Sequence, residues 1–185
     1  MKHLSKTVII LLAILSTTAC SNSSSKTNYS EPKVSYACVT DSNGTPTTVA
    51  QSEKRGNIPI IRWTSDFGFG EGYTPQSRCD EVSANFQKYY KRGILNYITT
   101  GQKNNYDIIC VSSKFGGGCL SDATQGQLWT LKREDNASEV IPKVFDLGYL
   151  GSAPLEQSDG SVITRQGSQV YLDVKKHLEQ APTMP

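Results

Sequence analysis

Residues 74–93 read Thr-Pro-Gln-Ser-Arg-Cys-Asp-Glu-Val-Ser-Ala-Asn-Phe-Gln-Lys-Tyr-Tyr-Lys-Arg-Gly, and no other stretch restricts the fold as strongly. Thr74 can cap a helix N-terminus, Pro75 suits the first helical position because its missing N–H would have no partner there, and Gly93 can take the left-handed turn that ends a helix. Cys79, Val82, Phe86 and Tyr89 recur at helical spacing, which predicts a central helix over about 75–92 with that stripe buried. Strand-like runs flank it, 58–64 before and 94–99 with 106–112 after. A helix laid on a sheet follows.

The remaining elements are read in the same way. Residues 31–40 and 47–50 read as strands joined by the dense turn signal Asp41-Ser-Asn-Gly-Thr-Pro46, and 127–131 and 169–174 as two more. The segment 100–105 has hairpin length, so 94–99 and 106–112 are expected to pair antiparallel. A second helix is expected over about 137–147, with capping-box spacing at Asn136 and Glu139, an apolar face of Val140, Ile141, Val144, Phe145 and Leu147, and a late start or a kink imposed by Pro142. A short helix is expected at 173–180. Hairpin-length connections with few β-α-β crossings favour an α+β domain, mainly antiparallel, over a parallel α/β one.

The first residues carry a different kind of information. Lys2 and Lys6 precede an apolar run, Val8 to Leu15, then small residues lead to Ala19-Cys20. The run is too short to span a hydrocarbon layer of about 30 Å as a helix, so 1–19 reads as a secretory signal. Ser16-Thr-Thr-Ala-Cys20 resembles a bacterial lipoprotein processing site, although Thr17 stands where that pattern usually has an aliphatic residue. Lipidation of Cys20 is favoured by the polar tether that follows it, 20–31 in all, and because it turns five cysteines into four. The alternative is ordinary cleavage after Ala19, which would release a soluble protein. The expected organisation is then signal 1–19, lipidated cysteine and tether 20–31, a domain over 32–150, and a C-terminal extension over 151–185.

Charge narrows the partners. The formal net charge is +2, and Lys2 and Lys6 in the leader carry all of it, so the exported portion is neutral. Without a basic run, neither nucleic acid nor electrostatic docking on anionic lipid is favoured. The membrane is expected as a partner through acyl chains on Cys20, alongside an unidentified envelope protein or ligand.

Cys38, Cys79, Cys110 and Cys119 are expected to form two disulfides in an oxidising compartment. Of the three possible arrangements, the preferred one closes the glycine-rich segment between Cys110 and Cys119 and ties the first strand to the central helix through Cys38 and Cys79. On loop-entropy grounds these closures contribute about 3 and about 4 kcal/mol. The spacings lack the close C-x-x-C pairs of a zinc site, so no metal is expected.

The sequence carries no recognisable catalytic pattern. His177 lacks any Gly-x-Ser-x-Gly elbow to serve and reads as a solvated helix residue. Gly68-Phe-Gly-Glu-Gly72 lacks the Lys-Ser/Thr of a phosphate loop, so no nucleotide or other cofactor is expected. The same glycine-rich loop carries Phe67, Phe69 and Tyr73, which could form a binding lip, as could the stapled loop around Phe115. Arg78, three residues before Glu81, could bind an anion, and a local ion pair is the default reading.

Taken together, Ile60-Ile-Arg-Trp63, Tyr73-Thr-Pro-Gln-Ser-Arg-Cys79, Gly93-Ile-Leu-Asn-Tyr97, Ile108-Ile-Cys-Val111, Gly118-Cys119 and Leu128-Trp-Thr-Leu131 resemble the circadian-oscillating-polypeptide family of cyanobacteria, over about 34–150. The resemblance implies an exported or membrane-associated protein and implies no activity, substrate or cofactor. The expected function is a lipid-anchored, non-catalytic binding or structural domain of the envelope, facing the periplasm or the thylakoid lumen. Two alternatives are an envelope hydrolase using a carboxylate or His177, and a soluble periplasmic protein.

Overall fold

A computed structural model describes residues 33–64, 73–145 and 161–184. Its first three strands, β1 (Val34–Thr40), β2 (Pro46–Ser52) and β3 (Gly56–Arg62), form an antiparallel meander in the order β1-β2-β3. The turn between β1 and β2 is built by Asp41, whose carboxylate accepts from the Asn43 and Thr45 amides at 2.9 Å each. A bulge places Ile60 as an extra residue opposite the Thr48/Val49 step, next to Pro59, which has no N–H to give to a ladder. Ile58, Pro59, Ile60 and Ile61 are all buried, because helices close this strand off from solvent.

Helix α1 (Pro75–Lys91) begins and ends as its sequence dictates. The Thr74 hydroxyl accepts from the Ser77 amide at 3.1 Å. At the other end Gly93 has φ +67°, its amide donates to the Tyr90 carbonyl at 2.8 Å, and the Ile94 amide donates to the Tyr89 carbonyl at 3.2 Å, which is a Schellman motif. The predicted stripe of Cys79, Val82, Phe86 and Tyr89 is buried. Helix α1 also closes the open edge of β1: the Val34 amide donates to the Tyr90 hydroxyl at 3.4 Å, and the Tyr36 amide donates to the Gln87 side-chain oxygen at 2.7 Å. Strand edges left bare are templates for unwanted pairing, and here helix side chains occupy the exposed amides.

The second sheet contains β4 (Tyr97–Lys103), β5 (Tyr106–Ser112), β6 (Gln127–Thr130), β7 (Ile163–Gln166) and β8 (Gln169–Asp173), all antiparallel, in the order β6-β5-β4-β8-β7. Strand β4 starts three residues later than expected, because Ile94 closes the end of α1 and its backbone is committed there. The expected six-residue hairpin loop shrinks to Asn104 and Asn105, with φ 52° and 61°, and Lys103 pairs with Tyr106. Asparagine tolerates the left-handed region, so two of them make the tight turn that matches strand twist. Strand β7 was not expected from sequence; it is the short partner of β8 across a turn at Gly167, where φ is +61°. Residues after 160, read as an extension, supply two of the five strands, and β8 pairs directly with β4.

Helix α2 (Ala137–Phe145) starts where Asn136 predicts, with the Asn136 side-chain oxygen accepting from the Ser138 amide at 3.1 Å. Pro142 lies inside the helix and cannot donate to the Ser138 carbonyl, which Arg165 of β7 approaches at 3.5 Å instead. The expected continuation to residue 147 lies outside the described residues. Helix α3 (Val174–Gln180) is capped by Asp173, which accepts from the Lys176 amide at 3.0 Å. One apolar core joins both sheets and the helices, centred on Ile60, Ile61, Phe86, Ile98, Ile109, Val111, Ile141, Phe145 and Leu172.

Candidate functional site

Both disulfides adopt the preferred pairing. Cys38 of β1 bonds Cys79 of α1 across 5.4 Å between Cα atoms, and Cys110 of β5 bonds Cys119 across 5.5 Å. The first bond lies beside a buried polar cluster in which Trp63 Nε1 and the Ser83 hydroxyl both donate to the Thr48 hydroxyl, at 2.9 and 3.0 Å. That cluster satisfies its own groups and faces no solvent.

The second bond organises a surface. Register places Tyr97, Thr99 and Gly101 of β4 and Cys110 of β5 on one face of the five-stranded sheet, and alternation adds Gln169 and Tyr171 of β8 and Gln166 of β7. Ile98, Ile109, Val111, Val170 and Leu172 occupy the opposite, core-facing side. A Cβ on Gly101 would lie 2.2 Å from Cys119 Sγ, so the bridge rests on bare backbone. From this seat the stapled loop carries Phe115 over the sheet, with ring centroids 5.1 Å from Tyr171 and 6.1 Å from Tyr97. Phe115 remains 46% exposed. Around the rings lie amides and hydroxyls: Gln169 Nε2 donates to the Thr100 carbonyl at 2.6 Å and to the Thr99 hydroxyl at 2.8 Å. The result is a platform of aromatic, amide and hydroxyl groups, with Lys103 at the far end of β4, Asp173 opposite Tyr97 and exposed Lys114 beside Phe115.

Two polar residues are placed differently from their sequence reading. His177 is not solvated: it is 5% exposed, its Nε2 lies 2.9 Å from the Pro59 carbonyl and its ring meets Phe145 edge-on. Burial pushes its pKa below the ordinary value. The face of α3 that carries it turns toward β3, which a lone histidine among charges does not announce. Arg78 forms no ion pair with Glu81 among the described residues; it is 5% exposed, stacks 5.3 Å from the Trp63 ring centroid and donates to the Thr64 carbonyl at 3.3 Å. Among the described residues its Nε is buried without a partner, and burial lowers its pKa.

Of the loop residues predicted to form a binding lip, Tyr73 is 52% exposed at the start of α1. Phe67 and Phe69 lie outside the described residues, as does Cys20. Sequence reasoning named Phe115 and missed Tyr97, Tyr171, Gln166 and Gln169. The period-two alternation of β8 was readable, but which strand it would join was not. Among the described residues no group of three His, Cys, Asp or Glu side chains could hold a metal ion, and no helix is long and apolar enough to cross a membrane.

A family model described as circadian oscillating protein COP23 matches residues 35–179, most of the chain. The chain belongs to this family. The COP23 match runs through β8 and most of α3, past the 34–150 span over which the resemblance was legible. No curated protein and no solved structure matches the chain.

Proposed function

We propose that this COP23 protein is an exported, lipid-anchored, non-catalytic domain of the cell envelope that presents the stapled face around Phe115 as a contact surface. The observation that carries the reading is the pair of disulfides, which belong to oxidising compartments and fit a chain that begins with a charged and apolar leader ending at Cys20. The polar groups best suited to chemistry are spent on structure: His177 on the Pro59 carbonyl, Arg78 on Trp63, and Thr48 with Ser83 on each other. An exposed aromatic ring on a fixed loop over a sheet face rich in aromatic, amide and hydroxyl groups suits recognition of a partner by contact.

The test is fractionation of cells making the full chain, with mass measurement of the mature N-terminus. Wild-type protein is expected in the membrane fraction with acyl chains on Cys20, and Cys20→Ala in the soluble fraction. An unmodified N-terminus in a wholly soluble pool would overturn the anchoring.

A further inference from the structure

The outer edge of β3 is closed by the end of the chain. His177 Nε2 donates to the Pro59 carbonyl at 2.9 Å, and the Met184 amide donates to the Asn57 carbonyl at 2.8 Å. Asn57 and Pro59 are alternate residues, so both carbonyls face away from β2. Arg55, in the turn between β2 and β3, donates to the Leu178 carbonyl and, at 2.7 Å, to the Ala181 carbonyl, holding the C-terminal end of α3. These contacts, with the His177–Phe145 ring contact, fasten α3 and the tail to the three-stranded sheet.

Of the groups in this fastening, His177 is the one whose charge changes near neutral pH. Facing a carbonyl acceptor, Nε2 carries a proton, and the depressed pKa leaves the ring neutral at neutral pH. Burial disfavours the imidazolium; the Pro59 bond opposes that effect, and the Arg55 guanidinium adds to it, leaving the pKa below the ordinary 6.5. Among the described residues the surroundings supply no compensating acid. Strand β3 contributes Pro59, and its Arg62 is paired with Asp41. Helix α2 contributes Phe145, while its Glu139 and Lys143 pair with each other in solvent. In the β2–β3 turn Glu53 and Lys54 are exposed; on α3 Lys175 and Glu179 are exposed and Lys176 is half-buried, and Asp173 is engaged at the helix cap.

We propose that α3 and the tail through Met184 form an acid-released latch, in which a proton taken up by His177 undocks them and bares the Asn57 and Pro59 carbonyls on the β3 edge. Because the folded pKa is depressed, docking is fully stabilised above 6.5 and weakens as pH falls through the folded value. The opening constant should rise by up to tenfold per pH unit below about 6.5, levelling off once the docked ring itself takes the proton.

Amide hydrogen exchange on the full chain between about pH 8 and pH 5, corrected for intrinsic exchange chemistry, reads this directly. Val174–Gln180 and Met184 should lose protection with that slope while Ile109 and Val111 of β5 hold theirs. His177→Gln keeps an uncharged N–H donor and should flatten the profile. Latch protection that does not change with pH, loss of protection by the whole domain in step, or a wild-type profile in His177→Gln would each overturn the proposal. Should the glutamine variant fail to dock at neutral pH, the NMR titration of the wild-type His177 ring decides. A midpoint below 6.5 that coincides with latch opening supports the proposal, and a midpoint at or above 6.5 overturns it.

Discussion

The two disulfides are the same bond in two different situations. Cys38–Cys79 joins a strand to a helix 41 residues away, beside the buried Thr48–Trp63–Ser83 cluster, and so ties β1 to the element on which the core is built. Cys110–Cys119 spans 9 residues, lies on the side of the five-stranded sheet away from the core, and fixes a loop whose most prominent residue is half exposed. The first restrains the fold and the second restrains a surface. A cross-link's contribution to stability grows with the loop it closes, whereas its contribution to recognition depends on what it carries.

Removing each bond separately tests that division. Cys38→Ala with Cys79→Ala should lower unfolding stability by about 4 kcal/mol in urea titration and loosen β1 from α1. Cys110→Ala with Cys119→Ala should cost about 3 kcal/mol on the same measure, with exchange protection lost mainly in the stapled loop. A larger loss from the second pair than from the first would break the comparison.

Gly101→Ala sharpens it. The new methyl would meet Cys119 Sγ at 2.2 Å, and a tethered sulfur cannot swing aside. A cost of about 1–3 kcal/mol is expected in the wild-type protein, and most of it should vanish when Cys110 and Cys119 are already alanine. Equal costs in both backgrounds would show that Gly101 serves β4 rather than the bridge. The smallest stability effect belongs to Phe115→Ser, expected at about 1 kcal/mol because the ring is half exposed and packs on Tyr171 and Tyr97. Its readout is reduced partner capture from envelope extracts, and a large fall in melting temperature would place Phe115 in the packing instead.

Much of the architecture was legible locally. Thr74, Pro75 and Gly93 bound α1 because capping and left-handed termination are decided within a few residues. Strand β5 emerged over its full length because its ends are marked by neighbours. Strand β4 was misplaced by three residues, since Ile94 could extend a strand or close a helix, and only the Schellman contact to Tyr89 decides between them. The surface around Phe115 was half legible. The loop and its ring were visible, but Tyr171 and Gln169 reach it through the pairing of β8 with β4, which joins residues some seventy positions apart.

His177 and Arg78 show the limit most clearly. Both belong to types that are usually solvated, and both are buried: His177 because its ring sits between the Pro59 carbonyl of β3 and Phe145 of α2, Arg78 because Trp63 and the Thr64 carbonyl take its guanidinium. The sequence by itself determined the helix ends, the turn chemistry, the antiparallel class and the cysteines available to cross-link, since each is settled by short-range sterics and hydrogen bonding. The tertiary structure alone decided which edges are closed, which face the stapled loop covers and which polar groups leave water, because burial depends on distant segments meeting and no single segment carries that information.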